Sequence, residues 1–336
     1  MVTLVTGAAG FIGAAVSKKL LDLGHDIIGI DNLNDYYSPA FKKERVKFLS
    51  SKANFEFRQL DIRDNNALRD CMRGATPKKV INLAAEVGVR NSIQKPADYI
   101  STNVLGFLNI LEACREFNIE RLIYASSSSV YGANISTPFS TTQRTDSPMS
   151  IYASSKKANE LMAHTYSHLY GFQTIGLRFF TVYGPWGRPD MAIFRFTKAI
   201  RSGEPISVFN RGQHKRDFTY IDDIVEGIKN IHEFNVDENK NNSYPNGLSQ
   251  PYSVYNLGGE NPEQLLDCIS ILEKYIGIPS TKQFLPIQLG DMKETFADTT
   301  PSNKDFGYSA KTSLSDGLKQ FVNWYLSHEE LINRLL

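Results

Sequence analysis

The sequence predicts an α/β fold, a doubly wound parallel sheet with a smaller mixed α/β lobe attached. Short β-rich runs alternate with stretches of helical spacing through the first half. A glycine-rich turn joins the first run to the first helical stretch. The second half shifts to polar insertions between amphipathic stretches. Strands alternating with helices bury their apolar residues best in a parallel sheet covered on both faces.

The elements follow in order. Val2-Thr3-Leu4-Val5-Thr6 is a β-rich run, and Ala14 to Leu23 has helical spacing and stops at Gly24. Buried strands are expected at Asp26 to Asp31, Phe55 to Asp61, Lys79 to Leu83, Arg121 to Ala125 and Gln173 to Arg178. Helices are expected at Thr102 to Phe117 and Ile151 to Tyr170, and later at Ile221 to Phe234, Pro262 to Ile276 and Ser313 to Leu326. Residues 236–253, rich in Asn, Ser, Gly and Pro, read as a surface loop. The division is a nucleotide-binding domain over 1–180 and a mainly substrate-binding lobe over 181–336, with the chain crossing between them.

Composition narrows the function. Lys plus Arg (37) nearly balances Asp plus Glu (36), so no overall field favours nucleic acid or an anionic membrane. No apolar run is long enough to span a bilayer. The three cysteines have neither metal-ligand nor disulfide-framework spacing, which points to a reducing cytoplasm and to no metal.

Gly7-Ala8-Ala9-Gly10-Phe11-Ile12-Gly13 sits between a strand and a helix. Glycines there let the backbone approach a pyrophosphate, and the helix start offers N–H groups to it. This is the Rossmann-type arrangement. Asp31 ends the second strand, where a carboxylate binds both adenosine ribose hydroxyls and repels a 2′-phosphate, favouring NAD over NADP. Asp61-Ile62 follows the third strand, near an adenine edge. Leu83-Ala84-Ala85, after the fourth, is small where a cofactor passes closely. Tyr152 and Lys156 are four apart on a predicted helix and share a face. An ammonium and a charged nicotinamide beside the phenol favour its phenolate, so Tyr152 can act as a base. Strand five ends in Ser126-Ser127-Ser128-Ser129, where a hydroxyl can orient a substrate.

With these residues in place the chain resembles the extended short-chain dehydrogenase/reductases over nearly its whole length, and within them the UDP-sugar 4-epimerases. The likeness lies in Thr6 to Gly13, Asp31-Asn32-Leu33, Asp61-Ile62, Asn103, Ser126 to Gly132, Tyr152 to Lys156, Leu177 to Phe180, Val182 to Pro185 and Arg216-Asp217-Phe218. The resemblance implies tightly held NAD, contacted by Gly7, Gly10, Phe11, Ile12, Gly13, Asp31, Asn32, Asp61, Ile62, Leu83, Ala84, Ala85, Asn103, Tyr152, Lys156 and Phe180. It implies Ser127 as catalytic hydroxyl, Tyr152 as base and Lys156 as its pKa-lowering partner. Arg216 and Asp291 would hold the UDP phosphates and ribose, and the helices Thr102 to Phe117 and Ile151 to Tyr170 would form a homodimer bundle.

The reaction implied is reversible C4 epimerisation of a UDP-sugar through a 4-keto intermediate. Dehydratases of the family carry Thr-Asp-Glu before Val-Tyr-Gly, and decarboxylases a Glu. This chain has Ser128-Ser129 before Val130-Tyr131-Gly132, so hydride transfer without elimination is expected. Gly184 to Met191 resembles the UDP-glucuronate branch, which converts UDP-glucuronate to UDP-galacturonate. Arg188 is the candidate for the uronate carboxylate, with Thr181, and Arg90 is a second basic candidate. The competing reading of Arg188 is an ion pair with Asp190. Gln288, three residues before Asp291, stands where galactose epimerases often carry Arg, and Glu86 and Asn91 replace the family's usual Gln and Tyr. The rivals are a UDP-glucose/UDP-galactose 4-epimerase and a non-catalytic NAD-binding regulator. The intact Ser127, Tyr152 and Lys156 speak against the regulator.

Overall fold

The computed structural model describes residues 1–234, 251–288 and 290–336. Its strands are β1 (Val2–Thr6), β2 (Asp26–Asp31), β3 (Phe55–Gln59), β4 (Lys79–Asn82), β5 (Arg121–Ser127), β6 (Gln173–Phe179), β7 (Thr181–Tyr183), β8 (Ile206–Val208), β9 (Lys215–Tyr220), β10 (Tyr252–Leu257), β11 (Pro262–Gln264) and β12 (Lys282–Phe284). Seven of them form one sheet in the order β10-β6-β5-β4-β1-β2-β3, every neighbouring pair parallel.

Side chains alternate across the strands, and both faces are covered as the patterning predicts. Leu4, Ile28, Val80 and Leu122 bury against the helices Asn65–Ala75 and Phe107–Glu116. Val5, Ile27, Ile81 and Ile123 bury against Phe11–Asp22 and Ile221–Glu233. Each such burial is worth roughly 1.5–3 kcal/mol, so these rows hold the strand ends in place. Strand order reverses between β1 and β4, and in open α/β sheets ligands bind beyond the carboxyl ends of the strands at such a switch point.

One residue after β6 the chain enters the smaller lobe. There β7, β9 and β11 form one sheet and β8 pairs with β12. Its core is aromatic: Phe194 meets Phe321 and Tyr325 edge-on, with ring centroids 6.1 and 5.4 Å apart. The chain returns to the large sheet at β10, which pairs with β6.

Several expectations are revised. Residues 262–264 pair with β9 as a strand, and the helix begins only at Leu265. The helix expected from Thr102 starts as a π-helical stretch, Ile100–Gly106, before Phe107–Glu116. Of the stretch read as loop, residues 236–250 lie outside the described residues, while Tyr252 and Ser253 open β10. The helices Pro39–Leu49, Asn65–Ala75 and Ala192–Ser202 are not anticipated. Among the described residues, no helix is long and apolar enough to cross a membrane.

Candidate active site

The glycine turn lies at the carboxyl end of β1. Gly7 has φ +69°, and a Cβ on it would sit 2.8 Å from the Ala84 backbone nitrogen. A Cβ on Gly13 would run into the Gly7 carbonyl, so the following helix packs directly onto the turn. Thr6 Oγ1 donates to Asn82 Oδ1 at 2.7 Å and accepts from the Leu83 and Ala84 N–H groups at 3.1 and 3.0 Å, stitching β1 to the loop after β4. The helix Phe11–Asp22 starts from Gly10 without a side-chain cap. Its first N–H groups are thus left to an anion.

Asp31 is buried at the end of β2. Its Oδ2 accepts from Ala9 N–H at 3.1 Å and its Oδ1 from Leu33 N–H at 2.8 Å, and burial pushes its carboxyl above the usual range. Each oxygen keeps a lone pair for a ribose hydroxyl. This geometry fits NAD: the turn admits a pyrophosphate, and a buried carboxylate disfavours a 2′-phosphate.

Ser127 ends β5, and Tyr152 and Lys156 stand on the helix Ile151–Tyr170, whose start Ser150 Oγ caps by accepting from Ala153 N–H at 3.1 Å. Lys156 Nζ donates to the Ala125 carbonyl at 2.9 Å, and burial lowers its pKa to about 8. The Tyr152 phenol differs from expectation. Burial raises it, opposed by a hydrogen bond from Ser127 and the positive charge of Arg188. The Lys156 ammonium is turned to the β5 backbone.

Beyond the serines lie the remaining candidates. Arg188 Nε and Nη2 donate to the two oxygens of Asp190 at 2.9 and 2.5 Å. Burial would pull the guanidinium down, but Asp190 outweighs it and holds it up. Arg90 pairs with Asp291 at 3.1 Å across the two lobes. Arg216 donates to the Lys215 and Lys293 carbonyls at 3.0 and 3.2 Å, and burial lowers its pKa.

One cleft of about 830 Å³ is lined by nearly all the site residues named from sequence, including Ser128, Ser129, Phe180 and Thr181. Two are not among its lining. Asp61 accepts from Asn32 Nδ2 at 2.9 Å; burial raises it, but hydrogen bonds from Arg63 and Asn32 prevail and take it down to about 2. Asn103, within the π-helical stretch, accepts from Glu86 N–H at 2.8 Å and donates to the Glu86 carbonyl at 2.9 Å. Both hydrogen-bond to residues that face the cleft, Asp61 to Asn32 and Asn103 to Glu86.

Sequence reasoning missed Asn34, Tyr36, Lys42 and His214, which also line the cleft. Asn34 directly follows Asp31-Asn32-Leu33 and Tyr36 comes two residues later, and that adjacency was the available signal. His214 left no local signal. It is almost fully buried, and burial lowers its pKa to about 4, so its imidazole is neutral near pH 7.

Comparison with known proteins agrees with this geometry. Residues 3–247 match the model of the NAD dependent epimerase/dehydratase family. The chain is 48% identical to Protein CapI of Staphylococcus aureus over 98% of its own length and 99% of that protein. It is 44% identical to UDP-glucuronate 4-epimerase 4 of Arabidopsis thaliana, over 97% of this chain and 75% of the other. Its fold superposes with a TM-score of 0.89 on UDP-glucuronic acid 4-epimerase from Bacillus cereus in complex with UDP-glucuronic acid and NAD. The two are 34% identical, covering 97% of this chain and 99% of that one.

Proposed function

This chain belongs to the NAD dependent epimerase/dehydratase family, and on that footing we propose that it interconverts UDP-glucuronate and UDP-galacturonate by reversible C4 epimerisation with tightly held NAD. The observation that carries the reading is the meeting of the glycine turn, Asp31, Ser127, Tyr152 and Lys156 in one cleft, with the hydroxyls of Ser128 and Ser129 where elimination would need acids.

Bound NAD supplies a hydride acceptor at C4 and then the donor that returns the hydride. The chain's own groups manage the proton and the pose. Tyr152 Oη takes the 4-hydroxyl proton and later returns it, with Ser127 aligned beside it. Lys156 holds the nicotinamide ribose. Arg216 and Asp291, with Arg90, hold the diphosphate and ribose while the 4-keto sugar turns over. A 4-keto uronate is a β-keto acid and loses carbon dioxide when its carboxylate bond aligns with the ketone π system. Arg188 and Thr181 restrain that bond, and Ser128 and Ser129 offer no carboxylic acid to protonate an enolate.

In this reading residues 1–180 carry the cofactor and 181–336 mainly the sugar nucleotide. A homodimer in a reducing cytoplasm belongs to it too, supported by exposed Leu105, Leu161 and Leu169 on neighbouring helical stretches and by three buried free cysteines. The test is incubation of the purified protein with UDP-glucuronate, UDP-glucose, UDP-galactose and UDP-xylose, with products resolved by chromatography. UDP-galacturonate from UDP-glucuronate is the expected product. Conversion confined to the neutral hexoses would overturn the uronate assignment.

A further inference from the structure

Three alternate residues after β2 each donate to a carboxylate on a different part of the chain. Asn32 Nδ2 reaches Asp61 Oδ2 at 2.9 Å, Asn34 Nδ2 reaches Glu86 Oε1 at 2.9 Å and Tyr36 Oη reaches Asp190 Oδ2 at 3.4 Å. The acceptors follow β3, β4 and β7 respectively. In the sheet β1 lies between β2 and β4. A link from the segment after β2 to the loop after β4 therefore crosses the carboxyl end of β1, where the glycine turn sits. The crossing is close: a Cβ on Gly88 would lie 2.7 Å from the Tyr36 hydroxyl. Asn34, Tyr36 and Glu86 all face the cleft that contains Gly7 and Gly10.

The far end of the segment is tied down as well. Lys42 Nζ donates to the Asn34 carbonyl at 2.8 Å. Arg45, almost fully buried, donates to Tyr37 Oη at 2.6 Å, the Ala9 carbonyl at 2.9 Å and the Trp186 carbonyl at 2.6 Å, joining segment, glycine turn and smaller lobe.

We propose that residues 32–37 form a strap across the cofactor groove, latched by Asn34 on Glu86 and by Tyr36 on Asp190, which sets how long NAD stays bound. A dinucleotide lying on the glycine turn has the strap above it, and it leaves only when those two hydrogen bonds open. Glu86 makes the first latch a bond to a carboxylate, stronger than one to an amide. Through Asp190 the same strap reaches the guanidinium of Arg188, so cofactor enclosure and substrate recognition share an anchor.

The inference rests on NAD as the cofactor, and its test needs no sugar nucleotide. Protein reconstituted with radiolabelled NAD is chased with excess unlabelled NAD, and retained label is followed over time. Asn34→Ala and Glu86→Ala should release label about tenfold faster than wild type, the factor expected for about 1.4 kcal/mol. Tyr36→Phe should release it a few-fold faster. Glu86→Gln keeps an oxygen acceptor for Asn34 but loses its charge, so it should release label at a rate between wild type and Glu86→Ala, which separates loss of the latch from general loosening of the fold. Release from Asn34→Ala within about twofold of wild type, or from Glu86→Gln as fast as from Glu86→Ala, overturns the strap. A protein that holds and releases NAD as expected but converts no UDP-sugar would remove the epimerase reading and leave the strap standing.

Discussion

Arg188 and Asp190 form a two-point pair within one turn, the guanidinium Nε and Nη2 each meeting one carboxylate oxygen. The ring of Tyr36 lies 5.5 Å from the guanidinium carbon. Side-on pairing fixes the guanidinium plane and spends only one of its two edges. The ion pair with Asp190, the competing reading from sequence, is what the structure shows, and the proposed contact with the uronate carboxylate would use the Nη1 edge.

Arg188→Ala should therefore lower turnover of UDP-glucuronate at least tenfold more than any activity on UDP-glucose. A hydrogen bond to a charged group is worth about 1.5–3 kcal/mol, and about 1.4 kcal/mol corresponds to each decade. Arg188→Lys should restore only part of the loss, because the planar contact is gone. A decarboxylated 4-keto pentose should appear among the products of the alanine variant. Chromatography on both substrates reads all three outcomes, and equal losses on the two sugars would assign Arg188 to folding or to the diphosphate.

Tyr152→Phe should retain NAD while losing nearly all turnover, since the ring packs alike and the proton acceptor is missing. With the phenolate as the proposed active form and burial raising the phenol's pKa, kcat should climb with pH through that ionisation. The Ser127 hydrogen bond opposes the rise. Ser127→Ala should consequently move the ascending limb of the kcat–pH profile to higher pH. A limb left in place, or moved lower, would contradict the Ser127–Tyr152 coupling.

Asp31→Asn should weaken NAD by about tenfold or more, because charge-assisted ribose contacts are lost, and should relax discrimination against NADP. Reconstitution of apoprotein with each dinucleotide, followed by equilibrium binding, measures both effects. Wild-type protein working equally well with NADP would refute the role given to Asp31.

Glu160→Ala should destabilise the fold. Glu160 is almost fully buried and accepts from Arg178 Nε and Nη2, both at 2.8 Å, and from Ser126 Oγ at 2.7 Å. Removing one partner of such a pair leaves the other charge buried and typically costs about 3–5 kcal/mol. The urea midpoint should fall accordingly. A midpoint within error of wild type would mean that Arg178 finds another partner.

Local pattern was enough for much of this protein. The short β-rich runs from Val2, Asp26, Lys79, Arg121 and Gln173 became parallel strands because each is buried on both faces, a property carried by neighbouring residues. Tyr152 and Lys156 share a helix face because four residues make about one turn. The glycine turn announced itself for the same reason, since its constraint is steric and lies within seven residues of chain. The weaker readings came where two periods competed. Pro262 to Gln264 continues an amphipathic pattern into a helix, yet its backbone pairs with β9.

Most of the parallel strands, the glycine turn and the helical pairing of Tyr152 with Lys156 were legible in the chain, since each depends on residues a few positions apart. The packing of distant elements was needed to place β10 beside β6, to turn the Lys156 ammonium to the Ala125 carbonyl, and to bring Asp61 to Asn32 and Asn103 to Glu86. It alone brought Asn32, Asn34 and Tyr36 to carboxylates 29, 52 and 154 residues away. Those pairings depend on which strands lie side by side. Strand order is set by burial of the whole sheet against its helices, and no local spacing in the chain encodes it.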